Sequence, residues 1–225
     1  MQLTFPPVRV YEPRWSPDGS KIAFVDVQFS HPWKIRLLSS SGGSPELLVP
    51  VATNAAEAQA DPTWTPDGKS IVFSRAGAGG EGKKAIYRVD LGNGHLTRIP
   101  GSDELESPRL SPDGQQIAAF TRDEKKLMLF DQNSWSTIAE GDQLGFDEWS
   151  PNGKYVYARE SGSGFARIIR VRIKDRVQEE VLSLKDFPQL VGPFTSWYGL
   201  TTDGKVLLIR DRSVQEIYAL SLERK

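Results

Sequence analysis

Carboxylates at repeated positions are the residues of this sequence that could first be suspected of chemistry. Each of four aspartates directly precedes a glycine, and an asparagine takes the same place in a fifth segment. Aspartate and asparagine tolerate the conformation of a tight turn, and glycine closes it in the left-handed region, so the pattern is typical of hairpin turns. We expect these residues to be structural, one pair in each repeat along one rim, and too far apart to share a cation. The pairs are Asp18 and Gly19, Asp67 and Gly68, Asp113 and Gly114, Asn152 and Gly153, and Asp203 and Gly204.

Nucleophile and metal chemistry has few candidate residues. The chain contains two histidines, His31 and His95, and no cysteine. Neither histidine has the spacing to a carboxylate pair or to the other histidine that is typical of a metal site. No Gly-x-Ser-x-Gly motif of a hydrolase is present. The sequence therefore predicts no catalytic residue, no metal site and no cofactor.

Two charged or glycine-rich segments favour structural explanations. Segment 77–84 is rich in glycine but lacks the Gly-Lys-Ser/Thr ending of a phosphate loop and precedes a predicted strand, so we interpret it as a hairpin tip. Arg170, Arg172, Lys174 and Arg176 alternate along and just past another predicted strand. They indicate a solvated face of the sheet, with an acidic partner as the alternative.

Composition limits the classes of partner. The chain has 225 residues, 28 Lys and Arg against 29 Asp and Glu, and a formal net charge of −1. This balance gives no electrostatic reason to expect a nucleic acid or an anionic membrane as partner. No apolar run approaches the length of a membrane span, and the first residues do not resemble a signal peptide. The absence of cysteine leaves the compartment undecided.

A repeat of about 40–50 residues organises the whole sequence. Counted from Trp15, Trp64, Leu110, Trp149 and Leu200, the spacings are 49, 46, 39 and 51 residues. This period is that of a four-stranded propeller blade. We predict an all-β fold, a β-propeller of four-stranded antiparallel blades that occupies residues 1–225 as one domain. The blade hairpins are predicted near residues 14–24, 63–73, 109–119, 148–158 and 199–209.

The arrangement of the remaining strands follows from the repeat. A third strand follows each hairpin, the last one at residues 216–222, and a fourth strand completes the first four units. Residues 2–5 match the fourth strand of the other units, so we expect them to pair with residues 216–222 and close the ring, which removes an exposed sheet edge. The alternative is a five-blade piece of a larger ring. Residues such as Trp15, Leu207 and Ile209 are expected to point into the stack of blades.

The hairpin sequence Trp-Ser-Pro-Asp-Gly-x-x-Ile-Ala-Phe at Trp15–Phe24 resembles the WD40-like β-propeller repeat of TolB-type bacterial proteins. Four of the five units carry its turn with at most a Leu-for-Trp or Asn-for-Asp change. At a finer level, segments 3–7, 13–19, 126–131 and 215–220 resemble the C-terminal propeller of bacterial, acidobacterial-type winged-helix transcriptional regulators and serine/threonine kinases. That resemblance implies a sensor or interaction role and carries no effector activity, because neither effector domain is present in the sequence.

The remaining functional candidates lie in the connections between blades, where propellers commonly bind. The two longest are predicted at residues 50–62 and 183–197. Aromatic residues in the second form either an exposed contact surface or a cap on the last blade. Residues that begin or precede inner strands are expected to ring the channel mouth. The predicted binding residues are Tyr11, Glu12, Asp61, Phe146, Phe187, Phe194 and Trp197.

These observations favour a non-catalytic module that binds a protein partner or a small ligand and is monomeric as an isolated domain. Its expected place is the sensory or scaffolding part of a bacterial signalling or envelope protein. The alternative is an enzyme, either the propeller portion of a prolyl-oligopeptidase-type hydrolase or a propeller lyase.

Overall fold

The protein was analysed as a computed structural model that describes residues 2–6, 9–28, 31–49, 57–78, 84–162, 164–189 and 197–212. Within these ranges the secondary structure consists of β-strands alone. None of the described segments forms a helix with the length and hydrophobicity of a membrane span.

Four blades of four antiparallel strands follow one another along the chain. Blade 1 consists of β1 (Val10–Trp15), β2 (Lys21–Asp26), β3 (Lys34–Ser39) and β4 (Glu46–Leu47). Blade 2 consists of β5 (Glu57–Trp64), β6 (Ser70–Ala78), β7 (Ala85–Asp90) and β8 (Leu96–Arg98). Blade 3 consists of β9 (Leu105–Leu110), β10 (Ile117–Thr121), β11 (Lys126–Asp131) and β12 (Ser134–Glu140). Blade 4 consists of β13 (Leu144–Trp149), β14 (Tyr155–Glu160), β15 (Arg167–Arg172) and β16 (Gln178–Ser183).

A fifth unit contributes the hairpin of β17 (Tyr198–Leu200) and β18 (Val206–Leu208). The first strands of successive units, β1, β5, β9, β13 and β17, contact one another and form the inner wall of the ring. The predicted fold class, an all-β propeller, is confirmed.

The turn between the first two strands of each unit is held by side-chain hydrogen bonds. In blade 2 the Thr65 hydroxyl donates to Asp67 Oδ1 over 2.6 Å, and the Lys69 amide donates to the same oxygen over 3.0 Å. The matching residues of the other units, Asp18, Asp113, Asn152 and Asp203, each accept a hydrogen bond from the hydroxyl two residues earlier. This arrangement fixes the hairpin from within, as expected for an Asx turn.

Tryptophans next to these turns join neighbouring blades. Trp64 Nε1 donates to the carbonyl oxygen of Arg14 over 3.0 Å, and Trp149 Nε1 donates to that of Arg109 over 2.9 Å. Both side chains are buried. Each indole therefore covers apolar surface and also satisfies a carbonyl group of the preceding blade.

The hydrophobic core lies between neighbouring blades. Ile35 of blade 1 and Phe73 of blade 2 belong to one buried cluster, and Leu129 of blade 3 and Val156 of blade 4 belong to another. All four are less than 2% exposed. The alternation of apolar residues along each strand supplies one apolar face to each neighbour.

Three residues that were expected to point into the stack are exposed. Trp15 is 58% exposed, Leu207 45% and Ile209 44%. They lie on blade 1 and on the fifth unit, on faces that no other described blade covers. The expectation of burial was wrong for these three residues. The repeat sets the position of each side chain within its strand, but its burial also requires a neighbouring blade on that side.

Two expectations about connections have different outcomes. The predicted loop 50–62 is shorter than expected, because β5 already begins at Glu57. Residues 2–5 form no strand with any described residue, and the predicted partner strand at residues 216–222 lies outside the described residues. Closure of the ring by this pair therefore stays a prediction.

Candidate functional site at the channel mouth

Each of the inner strands β1, β5, β9 and β13 contains a β-bulge before its Trp or Leu. At the bulge one residue that is not glycine has a positive φ: Glu12 (49°), Asp61 (57°), Ser107 (54°) and Phe146 (54°). Such a conformation costs about 1–3 kcal/mol per residue and persists only where the surrounding structure enforces it. Its repetition in four blades makes it a constant feature of this propeller.

The four bulge side chains line one cavity of about 270 Å³ where the inner strands begin. Tyr11, which precedes the first bulge, lines it too. The structure therefore brings together four residues that the sequence predicted for the channel mouth, namely Tyr11, Glu12, Asp61 and Phe146. We call this space the mouth cavity.

The other predicted binding residues do not join the mouth cavity. Phe187 packs against the cluster of Tyr157, Ile168 and Tyr198, which is the inward, capping arrangement. Trp197 is 48% exposed and is not part of the cavity lining. Phe194 lies outside the described residues.

The carboxyl group of Glu12 lies between an acidic and a basic neighbour. Its side chain lies near that of Asp61, and its Oε1 is 3.7 Å from Arg109 Nη2. Burial, and then the carboxylate of Asp61, raise the pKa of Glu12 from 4.5 to about 7, although Arg109 and Arg14 oppose the shift. Glu12 therefore keeps its proton to a higher pH than a carboxyl group in water does.

Tyr11 is a neutral neighbour of this acidic pair. Burial, followed by the charges of Glu12 and Asp61, raises the pKa of the Tyr11 phenol to about 12. At neutral pH Tyr11 therefore keeps its proton and adds an uncharged aromatic side chain to the cavity lining.

Arg109 occupies the channel behind the mouth cavity and is 6% exposed. Its Nη1 donates to the carbonyl oxygen of Pro108 over 3.0 Å. Burial opposes its charge, but Glu12, Asp147 and Glu148 favour it more strongly and raise the pKa of Arg109. Arg109 therefore stays positively charged, with acidic side chains of blades 1 and 4 as its neighbours.

Asp147 follows the bulge of blade 4 and is 1% exposed. Neither of its carboxylate oxygens accepts a hydrogen bond within the described part of the chain. Burial raises the pKa of Asp147 well above its usual value, against the attraction of Arg109. A buried acid without hydrogen-bond donors is costly to ionise, so it favours the neutral form.

A second cavity of about 460 Å³ lies at the turn end of the channel. Arg109 lines both cavities and so stands between them. In the second cavity Arg14 Nη1 donates to Glu148 Oε1 over 3.0 Å, which joins blades 1 and 4 across the channel. This ion pair joins two of the charged residues that line the second cavity.

Sequence reasoning missed part of the lining, although a signal was available. In three repeats the bulge residue precedes a proline, as in Glu12-Pro13, Asp61-Pro62 and Ser107-Pro108. Aligning the repeats at that proline would have added Ser107 and the position of Arg109 two residues later. The missed polar lining residues are Glu106, Ser107, Arg109 and Glu124, and the missed apolar ones are Phe120, Leu144 and Gly145.

The basic residues of blade 4 have partners within the blade. Arg170 Nε donates to Glu179 over 2.8 Å, and Arg172 Nη2 donates to the same carboxylate over 2.7 Å. Arg167 Nε donates to Glu160 over 2.7 Å. This favours the solvated blade face over a docking surface for an acidic partner.

Metal and phosphate chemistry finds no support in the described ranges. Within them, no group of three or more His, Asp and Glu side chains could hold a metal ion. His31 and His95 are both exposed at the surface. Most of segment 77–84 lies outside the described residues.

Comparison with known proteins identifies the family. The sequence profile of the TolB beta propeller domain matches residues 7–189. The chain belongs to the TolB β-propeller family. The strands, turn motif and inner wall described above belong to this TolB β-propeller domain.

Relatives of this TolB β-propeller differ in what surrounds the matching part. The chain is 28% identical over 159 residues to the uncharacterized peptidase YuxL of Bacillus subtilis, covering 66% of the chain and 21% of the peptidase. The crystal structure of TolB from Acinetobacter baumannii superposes with a TM-score of 0.69 and 21% identity, covering 91% of the chain and 50% of TolB. An oligogalacturonate lyase structure from Vibrio parahaemolyticus gives a TM-score of 0.65 and 13% identity, covering 91% and 60%. The chain thus spans about a fifth of the peptidase and half of the TolB structure, and the two structural matches show the shared fold.

Proposed function

We propose that this TolB β-propeller is a non-catalytic binding module whose protein partner docks at the channel mouth. Membership of the family supports a binding or scaffold role in general. The observation that carries the site is the convergence of four strained bulge residues on one cavity, where one carboxyl oxygen, Oε2 of Glu12, accepts no hydrogen bond from any described residue. Strained backbone at non-glycine residues concentrates at sites of function, which supports this placement.

The chemistry of the mouth cavity suits recognition by a protein. Tyr11 and Phe146 supply aromatic surface beside the carboxyl groups of Glu12 and Asp61. Aromatic anchors in partly desolvated pockets carry most of the energy of protein interfaces. A small ligand of similar chemistry is the narrower alternative.

We further propose that the chain, as one propeller domain, is the sensory or scaffolding part of a bacterial signalling or envelope protein and is monomeric when isolated. The resemblance of segments 3–7, 13–19, 126–131 and 215–220 to the propellers of winged-helix regulators and kinases supports the signalling assignment. The similarity to TolB supports the envelope assignment.

Site-specific photocrosslinking in cells that produce the protein naturally tests the docking site. A crosslinking amino acid replaces Lys125, an exposed residue next to the cavity-lining Glu124, or Lys69, an exposed residue at the turn end. We expect a discrete adduct from position 125 and none from position 69. Adducts from position 69 alone, or from neither position, would contradict docking at the mouth.

An enzymatic role is the second candidate, and the similarity to YuxL and to the lyase structure is the observation that favours it. It requires catalytic groups of a hydrolase or a metal site. Elemental analysis of the native protein, together with assays on p-nitrophenyl esters and polyuronates, distinguishes the two. Bound metal or turnover would replace the binding proposal by the enzymatic one.

A further inference from the structure

We propose that the mouth cavity binds the guanidinium group of an arginine side chain presented by the protein partner, an inference that rests on the proposed function. Neither the family nor its relatives assign a ligand of this kind to the cavity. The inference stands on the charge, the open hydrogen-bonding capacity, the size and the lining of the cavity.

The charge of the lining is acidic. Four carboxyl groups line the cavity, from Glu12, Asp61, Glu106 and Glu124, against the single guanidinium of Arg109. Lys84 forms an ion pair with Glu106. The remaining carboxyl groups exceed the positive charges, so the cavity favours a cation from outside.

The carboxyl group of Glu12 indicates where that cation would sit. Its Oε2 is buried and accepts no hydrogen bond from any described residue, so a small rotation of the carboxyl group would bring an acceptor without a donor to the cavity. The Glu12 side chain as a whole is 13% exposed and lines the cavity. A buried carboxylate oxygen without a donor is costly, and a donor supplied by a ligand would remove that cost.

Arg109 does not satisfy this atom. Its nearest approach to Glu12 is 3.7 Å, to Oε1, which is longer than a hydrogen bond. Its charge is also shared with Asp147 and Glu148 on blade 4. The pair of Glu12 and Asp61 therefore keeps the capacity to bind a second cation.

The size of the cavity limits the ligand to one side chain. Its volume of about 270 Å³ lies just below the roughly 300–1,000 Å³ of sites for drug-sized ligands. A single long side chain that projects from a partner would fill it. The rest of the partner would then contact the rim of the cavity.

Guanidinium fits the lining better than ammonium. The planar fork of arginine can donate to two neighbouring carboxyl groups at once, and Glu12 and Asp61 both line the cavity and interact electrostatically. The rings of Tyr11 and Phe146 also line the cavity, and guanidinium stacks on aromatic faces. In the described part of the chain no group of three acids or histidines could hold a metal ion instead.

Titration of the protein with N-acetyl-arginine amide, followed by amide NMR shifts, tests the inference. N-acetyl-citrulline amide serves as the neutral probe of the same shape, and Nα-acetyl-lysine amide as the cation without the fork. We expect saturable shifts at Ser107 and Gly145, and affinity for the arginine amide at least about tenfold higher than for the citrulline amide and several-fold higher than for the lysine amide.

Two variants and a control complete the experiment. Glu12→Gln and Asp61→Asn are expected to lower the affinity for the arginine amide by about tenfold each. Asp67→Asn, an equal change at the turn end, should leave the affinity within about twofold. The amide spectra of the same samples establish that each variant is folded.

Several results would overturn the inference. These are the absence of saturable shifts, equal binding of the citrulline or lysine amide, or binding that neither variant weakens. Crosslinking from position 125 is independent of these results. If a partner crosslinks but the protein does not bind the arginine amide, the proposed function remains and only the proposal of an arginine ligand is rejected.

Discussion

Asp61 and Asp67 belong to the same hairpin of blade 2 but lie at opposite ends of the channel. Asp67 adopts a turn and accepts hydrogen bonds from the Thr65 hydroxyl and the Lys69 amide, which lower its pKa. Asp61 has a positive φ of 57° and lies near another acid, Glu12, whose pKa is raised. At the turn end ionised carboxylates hold the fold together. At the mouth end the fold places carboxyl groups near one another, which raises the free energy of the folded state.

This difference teaches that the repeated motif alone does not reveal which acids are available to a partner. The conspicuous aspartates of the turns have used their hydrogen-bonding capacity within the hairpin. The acids of the mouth precede or follow the motif and retain capacity because the bulges force them together. Four predictions, given in decreasing order of expected effect, test whether the two ends differ in this way.

The largest effect is expected from the tryptophans of the turn end. Trp149→Ala should lower the free energy of unfolding by about 3–5 kcal/mol, because it leaves a cavity between blades and the Arg109 carbonyl without its donor. The matched change Trp15→Ala should cost less than about 1 kcal/mol, since Trp15 is 58% exposed. Urea denaturation measures both. Equal losses would show that the exposed Trp15 stabilises the fold as much as the buried Trp149 does.

Glu12→Gln should stabilise the protein at alkaline pH. The pKa of Glu12 is raised in the folded state, so the folded protein binds the proton more tightly and loses stability as pH rises from about 4.5 through 7. Relative to the unsubstituted protein, the variant should gain almost nothing at pH 4 and about 2–3 kcal/mol at pH 8.

Urea denaturation at both pH values measures this gain. The exposed Glu140→Gln serves as the control and should change neither value. A variant that loses stability at pH 8 would mean that Glu12 pairs favourably with Arg109, and the mouth would then resemble the turn end.

Gly114→Ala should cost about 2 kcal/mol and Gly19→Ala about 1 kcal/mol. Both glycines have a φ near 70°, which strains any other residue. At Gly114 the new Cβ would also lie 2.8 Å from Pro66 Cδ of the preceding turn, whereas at Gly19 it would meet nothing within 4 Å. Thermal melting of the two variants measures the difference. Equal costs would show that the contact of residue 114 with Pro66 does not contribute to the loss of stability.

The smallest effect is expected from charge at the turns. Asp67→Asn should lower the Tm slightly at neutral pH, and Asn152→Asp should raise it slightly, each by about 1–2 °C. The pKa of Asp67 is lowered in the folded state, so its contribution is present above pH 4 and is lost as pH falls through that lowered pKa. Melting curves at pH 7 and pH 2 check this. Shifts that persist at pH 2 would assign the effect to shape and not to charge.

The sequence predicted the blades well because the repeat encodes local structure. The hairpins of Trp64 and Trp149 form at the expected turns, and alternation along the strands supplies the buried faces. It misplaced Trp15 in the interior because burial depends on a neighbouring blade, which a repeat does not specify. Arg109 was missed since its role arises only when acids from β1 and β13 meet it across the channel.

The mouth was predicted in part, through residues chosen for their place at the start of inner strands. Glu12, Asp61 and Phe146 share the cavity because of bulges that alternation in a sequence does not show. The pairing of Glu12 with Asp61 depends on side-chain geometry between two blades. No single repeat contains that information.

Crosslinking from position 125 in proteins that carry Asp61→Asn or Asp67→Asn tests the central claim most directly. Asparagine tolerates both the positive φ of residue 61 and the turn of residue 67, so the two variants differ only in which end loses a charge. The comparison predicts that Asp61→Asn abolishes or strongly reduces the partner adduct and that Asp67→Asn leaves it unchanged. An adduct that survives Asp61→Asn, or that both variants reduce equally, would contradict it.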